Sequence, residues 1–87
     1  MYEKFNAISK EKQETIISAA IAIFGAGGYV KANTSDICEQ AGISKGLLFH
    51  YFGSKKNLFL FLVDYITEDM SKRYYSQMKK VPMELFE

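Results

Sequence analysis

The 87-residue sequence holds one cysteine, one proline, one histidine and no tryptophan. A lone thiol closes no internal disulfide and supplies no zinc site, so a reducing cytoplasm is the default compartment. Charge of one sign is scarce as well. Eleven Lys and Arg face 10 Asp and Glu, leaving a net of +1, which excludes a polybasic arm and an acidic tail. Long apolar stretches are missing: the run from Leu58 to Val63 is six residues and ends at Asp64, where a bilayer demands about 20. The amino terminus alternates charged and apolar residues and carries no signal-peptide pattern. A secreted mini-protein and an integral membrane protein are both disfavoured. No nucleophile–base pair, metal-ligand spacing or phosphate-cradling glycine loop is visible, so the sequence reads as no enzyme and calls for no cofactor and no metal.

What is present is a folded chain. Hydrophobic residues make up 48% and charged ones 24%, the balance of a globular domain rather than a disordered segment. Seven Phe and six Tyr are enough to anchor one small core. Strand-like alternation, repeats and low-complexity stretches are absent, so the fold class is all-α. A tail at 1–8 precedes a first helix that begins at the N-cap Ser9 and ends near Ala26 before Gly27-Gly28. Ile17, Ala20, Ile21 and Phe24 give it one apolar face. Gly25 inside it points to a close packing contact.

Asn33, with Asp36 three residues on, starts a short helix whose inner face is Ile37, Cys38 and Ala41 and which Gly42 ends. Ser44 caps a second short helix, Lys45 to about Tyr51, closed by Gly53. Ser54 caps a last helix over 55–80, about 40 Å long at 1.5 Å per residue, interrupted by Pro82. That helix is apolar nearly all round from Leu58 to Ile66, and such a helix normally has neighbours on more than one side. Met83, Leu85 and Phe86 read as the opening of a further helix. The chain is therefore expected to be the N-terminal part of a longer protein.

Two short helices joined by a tight glycine turn, Asn33–Ala41 and Ser44–Tyr51, have the shape of a helix-turn-helix. The second carries Lys45, His50 and Tyr51, which are able to meet phosphates or base edges. Lys55 and Lys56 follow at the positive end of the last helix, where amides bind anions. Between Lys31 and Lys56 four Lys face Asp36 and Glu39, a local +2, while the remainder sums to −1. The basic character is concentrated on one edge.

The ordered run Phe24, Gly28-Tyr29, Asn33, Asp36-Ile37, Ala41-Gly42-Ile43-Ser44-Lys45-Gly46, Leu48-Phe49-His50-Tyr51-Phe52, Ser54-Lys55 and Leu58-Phe59 resembles the N-terminal DNA-binding domain of the TetR family, over about residues 9–65. The resemblance implies a homeodomain-like three-helix domain with a helix-turn-helix at 9–54 and a connecting helix at 55–80. At 81–87 it implies the start of a truncated C-terminal domain that dimerises and binds a small-molecule effector. It implies a cytoplasmic, sequence-specific transcriptional regulator, most often a repressor, that binds a palindromic double-stranded operator as a homodimer.

By position, Thr34 and Ser35 match the phosphate-contacting start of the family's second helix. Lys45 matches the first turn of the recognition helix, and Gly46 lets that helix approach DNA or its neighbour. Leu47 stands where Thr is frequent; it offers a contact to a thymine methyl and no hydrogen bond. Phe49 stands where Tyr is usual and lacks the phenol hydroxyl. His50 and Tyr51 match a variable pair facing groove or backbone, and Lys55 matches a phosphate-contacting lysine.

The residues leave several readings open. His50 is a solvated histidine or a DNA-facing one, and Tyr51 packs or reaches phosphate. Lys55 and Lys56 are solvated charges or anchors, although a cation at the first position of a helix opposes the helix dipole and argues for a use. Cys38 reads as a buried inert thiol rather than a redox sensor. Phe49, Phe52, Phe59 and Phe61 read as core rather than as a ligand cage. A second function class also stays open: a small helical interaction module that docks through its apolar last helix.

Overall fold

The computed structural model describes the backbone of residues 2–80 and the side chains of residues 2–72. The expected further domain at 81–87, with Pro82, Met83, Leu85 and Phe86, lies outside the described residues. All regular structure within them is helical: α1 Glu3–Asn6, α2 Lys10–Lys31, α3 Thr34–Ala41, α4 Lys45–Phe52 and α5 Lys55–Lys80. The all-α class follows.

Residues 3–6, read from sequence as part of a tail, form a helical turn that plugs the core. Phe5 is fully buried. Its ring lies 4.9 Å from Phe52 and 5.3 Å from Phe61, centroid to centroid. Tyr2 closes the same cluster at 5.5 Å from Phe52 and 5.1 Å from Phe61, and its hydroxyl donates to the Asn57 carbonyl at 3.3 Å. Gln13 Nε2 donates to the carbonyls of Asn6 and Ile8, tying this turn to α2. A tail that buries a phenylalanine is part of the domain, since full burial of such a side chain is worth about 1.5–3 kcal/mol.

In α2 Ser9 Oγ accepts from the Lys12 amide at 3.2 Å, satisfying an orphan donor of the first turn. Ile16, Ile17, Ala20 and Phe24 are buried, whereas Ile21, expected on the same face, is 39% exposed. The inward stripe is rotated toward Ile16, and Ile21 lies at the rim facing α5. A Cβ built at Gly25 meets nothing within 4 Å, so no close contact requires that glycine. The helical pattern also runs on past Gly27, to Lys31 rather than Ala26. Gly28, at φ +79° and ψ 176°, kinks it, a conformation essentially confined to glycine and costing other residues about 1–3 kcal/mol, and the last turn closes through Ala32 N–H to Gly28 O.

α3 is capped by Asn33, whose Oδ1 accepts from the Ser35 amide at 2.8 Å; Asp36 is not part of that cap. Ile37 is fully buried and Cys38 nearly so. At the other end Gly42 sits in the left-handed region (φ +71°, ψ 32°). Gly42 N–H reaches Glu39 O and Ile43 N–H reaches Cys38 O, the paired bonds of a Schellman turn. That turn sets the angle at which α4 leaves. Ser44 Oγ then accepts from the Leu47 amide at 3.1 Å, and Leu48 and Phe52, four apart, seat α4 on the core. Ser54 Oγ accepts from the Asn57 amide, and Asn57 Nδ2 donates to Phe52 O, so the α4–α5 junction is held from both sides. Leu58 and Leu62 bury the base of α5.

Candidate nucleic-acid interface

Because Leu48 and Phe52 point inward, helical geometry turns Gly46 and His50 outward at 100° per residue, flanked by Leu47 and Phe49. The burial pattern agrees. Lys45, Gly46, Leu47 and His50 are exposed, while Phe49 and Tyr51 are half-buried. Among the described residues a Cβ at Gly46 would meet nothing within 4 Å outside its own helical turn. The bare backbone there is therefore not needed for packing inside this chain, and it leaves the outer face of α4 open to close approach. Tyr51 packs edge-on against Phe5 with centroids 5.9 Å apart, so the packing reading holds for its ring.

At the start of α3, Ser35 is exposed but Thr34 is 8% exposed. The Thr34 side chain is turned into the fold, so what this position presents outward is its backbone. Lys55 is half-buried rather than solvated: its Nζ stands 4.7 Å from the Tyr29 ring centroid and 3.4 Å from Val30 O. Lys56 is exposed. Among the described residues neither Lys45 nor Lys56 is paired with a carboxylate, so both cations are open to an external anion. Cys38 lies behind α4. Burial pushes its thiol above the ordinary range, and the nearby Lys45 ammonium pulls it back only in part. The group stays a neutral thiol, as the inert reading requires.

The arrangement is thus a short helix held by its ends and its inner face, with an outer face carrying a cation, an imidazole, an apolar side chain and a glycine. A major groove admits such a helix. Sequence comparison decides the family. The pattern of the family described as bacterial regulatory proteins, tetR family, matches residues 16–62, which run from the α2 core through the helix-turn-helix to the base of α5. The chain belongs to this family. Its helix-turn-helix is the DNA-binding unit of TetR regulators, and the chain is no enzyme of that fold.

Similar proteins carry matching names. The HTH-type transcriptional regulator BetI of Agrobacterium fabrum is 33% identical over 61 residues, 70% of this chain and 30% of that protein. The uncharacterized HTH-type transcriptional regulator YuxN of Bacillus subtilis is 38% identical over 56 residues, 64% and 19% respectively. The HTH-type transcriptional repressor AcnR of Corynebacterium glutamicum is 40% identical over 50 residues, 58% and 27%. The chain therefore spans a fifth to a third of the length of these relatives. No helix among the described residues is long and apolar enough to cross a membrane.

Of the positions that the resemblance singles out, Ser35, Lys45, Gly46, Leu47 and His50 are exposed, Phe49, Tyr51 and Lys55 are half-buried, and Thr34 is buried. Two features escape the sequence pattern. Phe5 and Tyr2 lie too far from the periodic segments to register as core. The Tyr29–Lys55 contact joins residues 26 positions apart, and only the Gly28-Tyr29 pair hints that the chain turns back there.

Proposed function

We propose that this protein is a cytoplasmic, effector-responsive transcriptional repressor that binds a palindromic operator as a homodimer, reading it with α4. The observation that carries the reading is the outer face of α4, which a family of regulators places on DNA and which here is exposed, unpaired in charge and free of packing duty at Gly46. In this reading Lys45 and His50 approach base edges, Leu47 touches a thymine methyl, and Phe49 fills the groove wall without the hydrogen bond a tyrosine would add. Ser35, the Thr34 amide, Tyr51 Oη and Lys55 hold phosphates and set the register. A homodimer presents two such helices to successive major grooves. Dimerisation and effector binding belong to a domain beyond these 87 residues, a view supported by the small share of each relative that the chain covers.

Titration of a labelled operator duplex and a scrambled one, over a range of salt, tests this. Lys45→Ala is expected to weaken operator binding more than scrambled binding, by about 1–3 kcal/mol of discrimination. Equal losses on both duplexes would move Lys45 to the phosphate class, and salt-independent binding would remove DNA as the ligand.

A further inference from the structure

Lys55 opens α5, where a cation opposes the helix dipole, and yet its long side chain has a built seat. Gly28 turns the chain at the end of α2. The Tyr29 ring then lies parallel to Phe24 at 6.2 Å and edge-on to Phe59 at 5.0 Å. Phe59 stands one turn along α5 from Lys55, so the ring is braced by both helices that it joins. Over its face rests the Lys55 ammonium, 4.7 Å from the centroid, with Val30 O at 3.4 Å. An ammonium has three N–H donors. The carbonyl takes one and the ring face another, and the half-buried position leaves the third for an outside acceptor.

We propose that Tyr29 is a positioning residue for DNA binding: its ring, with the Val30 carbonyl, holds the Lys55 ammonium at the start of α5, so that a phosphate meets a preset cation. The inference rests on the reading of Lys55 as a phosphate contact. A free lysine gives up rotamer freedom on binding, and one already seated has less to give up. Loss of the ring face therefore lowers affinity about two- to fivefold. It leaves the salt dependence unchanged, because the same phosphate is still neutralised and the same counterion released.

The test uses the 87-residue chain, a labelled duplex of mixed sequence, and titrations at several salt concentrations below the melting temperature of each variant. Lys55→Met is expected to flatten the plot of log affinity against log salt by about 0.9. Tyr29→Leu is expected to lower affinity about two- to fivefold at unchanged slope, Tyr29→Phe to restore it, and Tyr29→Leu in the Lys55→Met background to cost nothing more. Replacing Tyr29 by pentafluorophenylalanine keeps the ring's shape and reverses its quadrupole, so it reproduces the loss even where Tyr29→Leu fails to fold. Full affinity for the fluorinated protein, with a flattened slope for Lys55→Met, overturns the positioning role and leaves the phosphate contact standing. Tighter binding by the Tyr29 variants overturns it too, by showing that the ring withholds the ammonium. An unchanged slope for Lys55→Met overturns both.

Discussion

The two ends of this small domain are built from equally apolar sequence and finish in different states. Around α1, α4 and the base of α5, aromatic rings close on each other from every side, and Phe5, Leu48, Phe52 and Leu58 are 0–3% exposed. Along the α2–α5 face the same kind of residue stays open. Val63 is 44% exposed, Ile66 40% and Met70 65%. Ile21, Phe24, Phe59, Val63 and Ile66 line a groove of about 250 Å³ there. The difference lies in neighbours rather than in hydrophobicity: α1 and α4 cover the first region, and no described element covers the second. What the closed end secures is the angle of α4, the element that faces outward with Lys45 and His50.

The comparison is broken most sharply by emptying the closed end. Phe5→Ala and Phe52→Ala are expected to cost about 3–5 kcal/mol each, and Ile37→Ala about 2–5, in urea melts followed by circular dichroism. A domain with about 5–10 kcal/mol to lose is badly compromised by any one of them. Val63→Ala or Ile66→Ala on the open face should shift stability by about 0.5 kcal/mol or less. Equal losses at the two ends would erase the distinction.

Backbone and cap variants of the α3–α4 unit come next. Gly42→Ala forces a side chain into the left-handed region and should cost about 1–2 kcal/mol. Ser44→Ala leaves the Leu47 amide without its acceptor and should cost about 1 kcal/mol. Differential scanning calorimetry of both variants checks the order, and a neutral Gly42→Ala would contradict the turn geometry.

The smallest effect concerns Cys38. Its folded-state thiol titrates above the unfolded one because burial disfavours the thiolate. Its contribution to stability is therefore complete below about pH 8.5 and is lost as pH rises beyond that. Cys38→Ala should flatten this alkaline limb of the stability–pH curve relative to the parent. In the native parent a thiol-specific reagent should react only as fast as the protein opens.

Much of this was legible in the residues, for physical reasons that also mark the gaps. Asn33, Ser44, Ser54, Gly42 and Gly53 act through bonds to amides and carbonyls two to four residues away, so the limits of the helix-turn-helix follow from local chemistry. On α4 the sequence puts Phe49 inward with Phe52, whereas the buried pair is Leu48 and Phe52 and Phe49 is half-buried outside the core cluster, because the three- and four-residue spacings to Phe52 are both helical and packing selects the second. Ile21 was misplaced because a helix with this many apolar residues has two plausible inward stripes, and packing selects between them. Phe5 was assigned to a tail because a single helical turn has no periodicity to display. The Tyr29 seat for Lys55 depends on tertiary approach across a kink, which no local pattern encodes.

The central claim is that the DNA-reading surface is the outer face of α4 with the starts of α3 and α5, and that the open apolar face is separate from it. Amide chemical shifts of the isotopically labelled chain, followed while a mixed-sequence duplex is added at low salt and then displaced by raising the salt, test this most directly. The account predicts salt-reversible shifts at Ser35, Lys45, Gly46, Leu47, His50, Tyr51 and Lys55, with Val63 and Ile66 unmoved. Shifts concentrated at Val63 and Ile66 with α4 silent would contradict it.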